Sequence, residues 1–404
     1  MVGVRLVVLG SGMGNRNSIH RNLQNAVSAV CAYMWLTIRR EHGRAGRLEI
    51  AAMELGLLTL GDHLTDPVTG VRTPQAQRHR EILDYLAFAE PAGFDAVIVG
   101  EHHFSDFIIS VPQVFLAWVA ARTSTVRLAT GITLLAHHDP VRLAEDFATL
   151  DVVSDGRAEL WVGKGVEPYV YRQFGQDVAK VNAMQDEGLR LLLKLWKEQE
   201  VSWSGEFRPP LDRITIEPRP VQQPCPPVFV ACSSAAAAQY TASLGLGITI
   251  TLLSCDRDDL FRVVGAYRQA WAEAGHKHRP RVTLNAHVHV APTTQEAHQH
   301  LEIYQFGFQR WVQSKKTGIP ADRVQLPPRI TDLRNPECSI ISGSPNEVID
   351  RIGALAEGCE FDRFTYQGDY GGQPWPLVKR SLDLFAARVL PTLSRANIAM
   401  AATG

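Results

Sequence analysis

Four groups of residues in this sequence have side chains suited to proton transfer or anion binding. Glu101, His102 and His103 end the apolar run of VIVGEHHFSDF, and His137 and His138 follow ITLLA. Gly163, Lys164 and Gly165 follow ELWV, and Ser233 and Ser234 follow PPVFVAC. Imidazole is the side chain whose unperturbed pKa lies nearest neutrality, so paired histidines beside a carboxylate suit acid–base work. Serines opening a helix suit an anion, because the first amides lack intrahelical partners and carry partial positive charge. An ordinary serine N-cap produces the same pattern. Glu101, His102 and His138 could instead supply the three ligands of a catalytic zinc. No HExxH or comparable spacing accompanies them, and the reading is that no metal binds.

Each group follows a short apolar run, and the runs alternate with longer amphipathic segments. Strands are expected at Met53–Leu60, Asp95–Gly100, Val126–Ala136 and Arg157–Gly163. Four more are expected at Pro226–Cys232, Gly247–Leu253, Arg281–Ala291 and Phe361–Gly368. Helices are expected at Pro74–Phe94, Val114–Arg122, from Pro140, at Val181–Glu198, Ala235–Leu244, Leu260–Gly275 and Trp375–Leu390. Eight such units predict an α/β fold, a (β/α)8 TIM barrel with insertions. An open doubly wound sheet is the alternative, weakened because VRLVVLGSGMGN has Asn15 where a dinucleotide fingerprint needs its third glycine. In a barrel the carboxyl ends of the strands carry the chemistry, so all four groups would meet on one face.

Two stretches exceed what a barrel needs. Ser204–Pro224 reads as a small hairpin excursion. Phe306–Ile341, rich in Pro, Arg and Lys, reads as an insertion that could act as a lid. Residues 1–52 read as a non-barrel N-terminal extension, with Met53 a natural alternative start, residues 53–393 as the barrel, and 394–404 as a tail.

Of 404 residues, 45% are hydrophobic and 21% charged, the balance of a globular protein with a sizeable core. Lys and Arg total 41 against 42 Asp and Glu, so nothing electrostatic favours nucleic acid or a membrane surface as partner. No apolar run reaches the roughly 18 residues of a membrane span. Six scattered cysteines without a CxxC pair argue against a zinc site or disulfide framework and fit a reducing cytoplasm.

The run AGFDAVIVGEHHFSDF resembles the bacterial luciferase-like flavin monooxygenases, whose second strand ends in an acidic residue, two histidines and an aromatic. HDPVRLAEDFATLDVVSDGRAELWVGKG, GSPNEVIDRI and PLVKRSLDLFAARVLP resemble further segments of that family. The resemblance spans roughly Met53–Leu393 and implies an enzyme that uses reduced FMN and O2 on a small organic substrate. It also implies a separate NAD(P)H:flavin reductase and a homodimer. His102 would handle protons, with Glu101 and His103 orienting or supporting it. Ser233, Ser234 and Lys164 would hold the flavin phosphate. Gly131 and Ile132 would lie against the ring, where the family often has a non-prolyl cis peptide. Gly163 stands where the luciferase branch has cysteine, and Lys164 where it has arginine. His63, Phe104, Phe107 and Trp161 are candidates for the substrate pocket. A deazaflavin-dependent oxidoreductase and a flavin-binding protein without turnover are the alternatives.

Overall fold

The computed structural model describes residues 53–394, apart from Val166 and Pro336. The expectations for residues 1–52 and for the tail beyond Ser394 lie outside the described residues. The strands are β1 (Glu54–Thr59), β2 (Ala96–Val99), β3 (Arg127–Thr130), β4 (Thr133–Leu134), β5 (Ala158–Gly163) and β6 (Val201–Trp203). They continue with β7 (Leu211–Ile214), β8 (Val228–Ala231), β9 (Gly247–Thr251), β10 (Val282–Val290), β11 (Ile340–Gly343) and β12 (Arg363–Gln367). β1, β2, β3 with β4, β5, β8, β9, β10 and β12 pair in parallel around a ring. The ring closes because β10 pairs with β9 and β12, and β12 returns to β1 with Arg363 opposite Glu54. This is the (β/α)8 barrel expected from the alternation of apolar runs.

Strand side chains alternate between the two faces, so each strand serves two layers. On β5, Leu160 and Val162 join the apolar layer between strands and helices, while Trp161 belongs to the barrel interior. The interior is filled rather than hollow. Its floor is charged: the Arg363 guanidinium donates to both oxygens of Glu159, at 2.7 and 3.1 Å, and its Nε donates to Glu54 at 3.0 Å. Arg127 Nε adds a bond to Glu159 at 3.0 Å. Burial alone would raise the Glu159 carboxyl, but the Arg363 charge and hydrogen bonds outweigh it and hold the group below the usual carboxylate range. Above this floor Leu58, Ala96, Ile98, Ala129, Trp161 and Phe229 form an apolar plug. The Trp161 indole donates downward to Glu159 at 3.2 Å, tying plug to floor. Polar groups at the strand ends above the plug therefore surround a space closed from below.

Three elements differ from the expected boundaries. The third strand is interrupted between β3 and β4, where the Gly131–Ile132 peptide is cis. The excursion before β8 is an antiparallel hairpin, but its first strand, β6, precedes Ser204. The segment Phe306–Ile341 is less of a loop than its composition suggests. Its first part completes a helix, Thr294–Thr317, capped by Thr293 and ended by Gly318 in the left-handed region. Its end is β11, which adds in parallel to the upper half of β10. Among the described residues no helix is long and apolar enough to cross a membrane.

Candidate active site

A cavity of about 380 Å3 opens at the carboxyl ends of the barrel strands. Glu101, His102 and His103 enter it from the end of β2, but they do different things. Glu101 is almost fully buried, at 2% exposure. Its Oε1 accepts from His103 Nε2 at 2.8 Å and from His138 Nε2 at 2.9 Å, and its Oε2 accepts from the Leu134 amide at 3.1 Å. Burial by itself raises this carboxyl, yet the two imidazole bonds, the His138 charge and the amide bring it down to about 2. Burial likewise disfavours the charged form of His138, and the Glu101 bond and charge outweigh it, so its pKa is raised. The carboxylate thus fixes one imidazole at the cavity wall and another on the loop after β4.

His102 lines the same cavity, and among the described residues its ring nitrogens make no hydrogen bond. Its ring stacks on Phe107 with centroids 4.0 Å apart and planes 18° from parallel. Burial pushes its pKa down to about 4 against the pull of Glu101, so the ring is neutral near pH 7. Phe107 meets Trp311 edge-on at 5.4 Å, and Trp311 lies beside Phe308 at 6.0 Å, which continues the aromatic wall onto the Thr294–Thr317 helix. His137 also lines the cavity. Its Nδ1 donates to Gln176 at 2.5 Å, leaving Nε2 a buried acceptor without a partner, beside a Tyr171 hydroxyl that has none either.

The opposite rim is built from β5 and β8. Gly163 ends β5, where a Cβ would stand 2.1 Å from Ile132 Cδ1, so the absent side chain makes room for Ile132. A Cβ on Gly131 would meet Ile98 Cγ2 at 2.2 Å, so the barrel's own packing requires glycine there too. Lys164 lines the cavity and donates to Asn182 at 2.9 Å. Ser233 lines it as well. Ser234 does not: its hydroxyl caps the Ala235–Ser243 helix by accepting from the Ala237 amide at 3.3 Å. The amides of Ala235 and Ala236 have no partners within the helix. A cation, a hydroxyl and a helix start at one side, followed inward by Leu58, Ile132 and Trp161, form a donor set that fits a flat molecule carrying a phosphate.

Residues 53–359 match the family model described as luciferase-like monooxygenase, well over half of the chain. The chain belongs to the luciferase-like monooxygenase family. Within it, the chain is 26% identical over 338 residues to the oxygenase component of a flavin-dependent trigonelline monooxygenase from Acinetobacter baylyi, covering 80% of this chain and 92% of that one. It is 32% identical over 180 residues, 42% of this chain and 52% of the other, to an F420-dependent glucose-6-phosphate dehydrogenase from Kineococcus radiotolerans. The crystal structure of a monooxygenase from Streptomyces bottropensis superposes with a TM-score of 0.74 at 28% identity, covering 84% of this chain and 99% of that one.

Of the residues singled out in this luciferase-like sequence, Glu101, His102, His103, Gly131, Ile132, Lys164 and Ser233 line one cavity. Gly163 packs beneath Ile132, and Ser234 serves as a cap. Phe107 and Trp161 line the cavity as expected, but His63 and Phe104 do not. The His63 ring is held at the Thr73 carbonyl, and Phe104 is exposed and packs on Phe174. Sequence reasoning missed Asn285, His287 and Gln367 on the inner faces of β10 and β12, and Gln309 and Trp311 on the long helix. The β10 pair was legible in principle, because VTLNAHVHV alternates apolar and polar residues with period two.

Proposed function

We propose that this protein is the oxygenase of a two-component flavin monooxygenase, taking reduced FMN and O2 to oxidise a small organic substrate. The reading rests above all on one arrangement: the anion-suited rim of Lys164 and Ser233 and the histidine wall of His102 and His103 line a single cavity. The likeness to a trigonelline monooxygenase's oxygenase component supports a separate NAD(P)H:flavin reductase as partner. Reduced flavin, when bound, supplies the electrons that let one oxygen atom enter the substrate while the other leaves as water. Lys164, Ser233 and the start of the Ala235–Ser243 helix hold the phosphate. Gly131 and Ile132, which line the cavity, would be the backbone beside the ring. His102, neutral at the working pH, offers one ring nitrogen as donor and the other as acceptor, and takes and returns a proton at the wall. His103 keeps its Nε2 proton on Glu101 and holds the wall in place. Phe107, Trp311 and the long helix keep water out, so the helix serves as the cover over the substrate. The proposal extends to a homodimer on the family resemblance, and to the cytoplasm on the scattered cysteines.

Replacing Ser233 and Lys164 by alanine tests this. FMN binding should weaken about tenfold or more while riboflavin, which lacks the phosphate, binds as before. Equal losses for both flavins would remove the phosphate assignment. A deazaflavin-dependent oxidoreductase is the second reading, favoured by the partial match to an F420-dependent dehydrogenase.

A further inference from the structure

The Thr294–Thr317 helix presents a stripe to the cavity that neither the flavin rim nor the histidine wall uses. Gln309, Val312, Gln313 and Lys316 all line the cavity, and they recur at the three- and four-residue spacings of one helix face. Gln309 is 4% exposed, and its Nε2 has no hydrogen-bond partner, a buried donor left open beside the cavity. At the other end of the stripe stand Lys316 and its neighbour Lys315. Lys315 Nζ sits 5.7 Å from the Trp311 ring centroid, which holds it beside the aromatic wall. Among the described residues neither lysine forms an ion pair. Glu167 also lines this mouth, one carboxylate facing both lysines, so two cations against one anion leave it cationic. Between the two ends the stripe carries Val312 and Gln313, with apolar Trp311, Leu60 and Leu253 also lining the cavity.

We infer that the substrate is an organic anion with an apolar middle and a hydrogen-bond-accepting oxygen at its far end. The acidic group rests on Lys315 and Lys316 at the mouth, the body lies along Val312 and Trp311, and the oxygen accepts from Gln309 Nε2. Seven residues at 1.5 Å rise put Gln309 and Lys316 about 10 Å apart along the helix, which sets the length scale of the molecule. The inference rests on the monooxygenase reading for calling the guest a substrate, but binding is measurable without turnover.

The test uses the full chain loaded with oxidised FMN and a straight-chain keto acid, oxononanoate with its ketone near the far end, beside its methyl ester. Calorimetric titration should show the acid binding about tenfold or more tighter than the ester. Replacing Lys315 and Lys316 together by alanine should abolish that preference while leaving ester and FMN affinity unchanged. Gln309→Leu should weaken the keto acid but not nonanoate, which lacks the ketone. Equal binding of acid and ester by the wild-type protein would overturn the inference. So would loss of FMN rather than acid in the lysine variant, since the lysines would then be serving the cofactor phosphate. Oxygen uptake with reduced FMN is recorded separately. Lysine-dependent acid binding with all the consumed oxygen recovered as hydrogen peroxide and none in an oxidised acid would remove the monooxygenase reading and leave the anion site standing.

Discussion

His138 Nε2 lies 2.9 Å from Glu101 Oε1, so a carboxylate at the end of β2 anchors the loop that follows β4. The same oxygen receives His103 at 2.8 Å, and one buried charge therefore sets two imidazoles.

Glu101→Gln should keep the fold but cost about 1–3 kcal/mol, the range for a buried polar group that loses matched partners. The loss depends on pH. Glu101, held at about 2 against its usual 4.5, contributes fully above about 4.5 and less as pH falls toward 2. His138, raised above 6.5, contributes fully below 6.5 and less as pH climbs through its folded value. The stability gap between wild type and variant should be widest between about pH 5 and 6.5, and should shrink as pH falls toward 2 and as it climbs above 6.5. Urea denaturation at these pH values measures it, and a gap independent of pH would contradict the pairing.

Gly163→Ala forces Ile132 to move, because the new Cβ would stand 2.1 Å from its Cδ1. Overpacking of this kind costs about 1–3 kcal/mol, and the displaced Ile132 side chain would intrude on the cavity. FMN affinity should fall in Gly163→Ala and recover in the double variant with Ile132→Ala. No recovery would show that the glycine is needed for something other than Ile132.

The barrel floor is tested by Glu159→Gln, which leaves the buried Arg363 guanidinium facing Glu54 alone. A cost near 3 kcal/mol is expected, at the low end for breaking a buried pair because Glu54 remains. The urea midpoint should drop with an unchanged m-value, while FMN affinity of the folded protein stays the same. A midpoint within error of wild type would mean the floor contributes little.

Trp311→Ala should open the aromatic cover between the long helix and Phe107. The variant is expected to release several-fold more hydrogen peroxide per oxygen consumed, because water then reaches the reacting centre. Coupling equal to wild type would show that the helix is a wall and not a cover.

What could be read in the sequence was local. Strand ends and their polar residues follow from apolar runs of a few residues, and helix starts from signals such as Pro140 at a first helical position, so the barrel and the β2 histidines were legible. The pairing of Glu101 with His138 joins residues 37 apart, and that of Arg363 with Glu159 joins residues 204 apart; no local pattern encodes such partners. The Thr294–Thr317 helix was obscured for another reason. Its last turns, with Lys315 and Lys316, merge in composition with the Pro- and Arg-rich stretch beyond Gly318, so the cavity wall carrying Gln309 and Trp311 read as loop. The roles of Ser233 and Ser234 were read as shared, and only the helix geometry separates the one at the cavity from the one that caps.

The most direct measurement is an anaerobic titration of the protein with reduced FMN and, separately, with reduced deazaflavin, each followed by mixing with air. The account predicts preferential binding of reduced FMN and oxygen consumption that becomes coupled to product once a substrate is present, with coupling lost in His102→Ala. Preference for deazaflavin with no reaction toward oxygen would contradict it and place the protein among hydride-transfer enzymes.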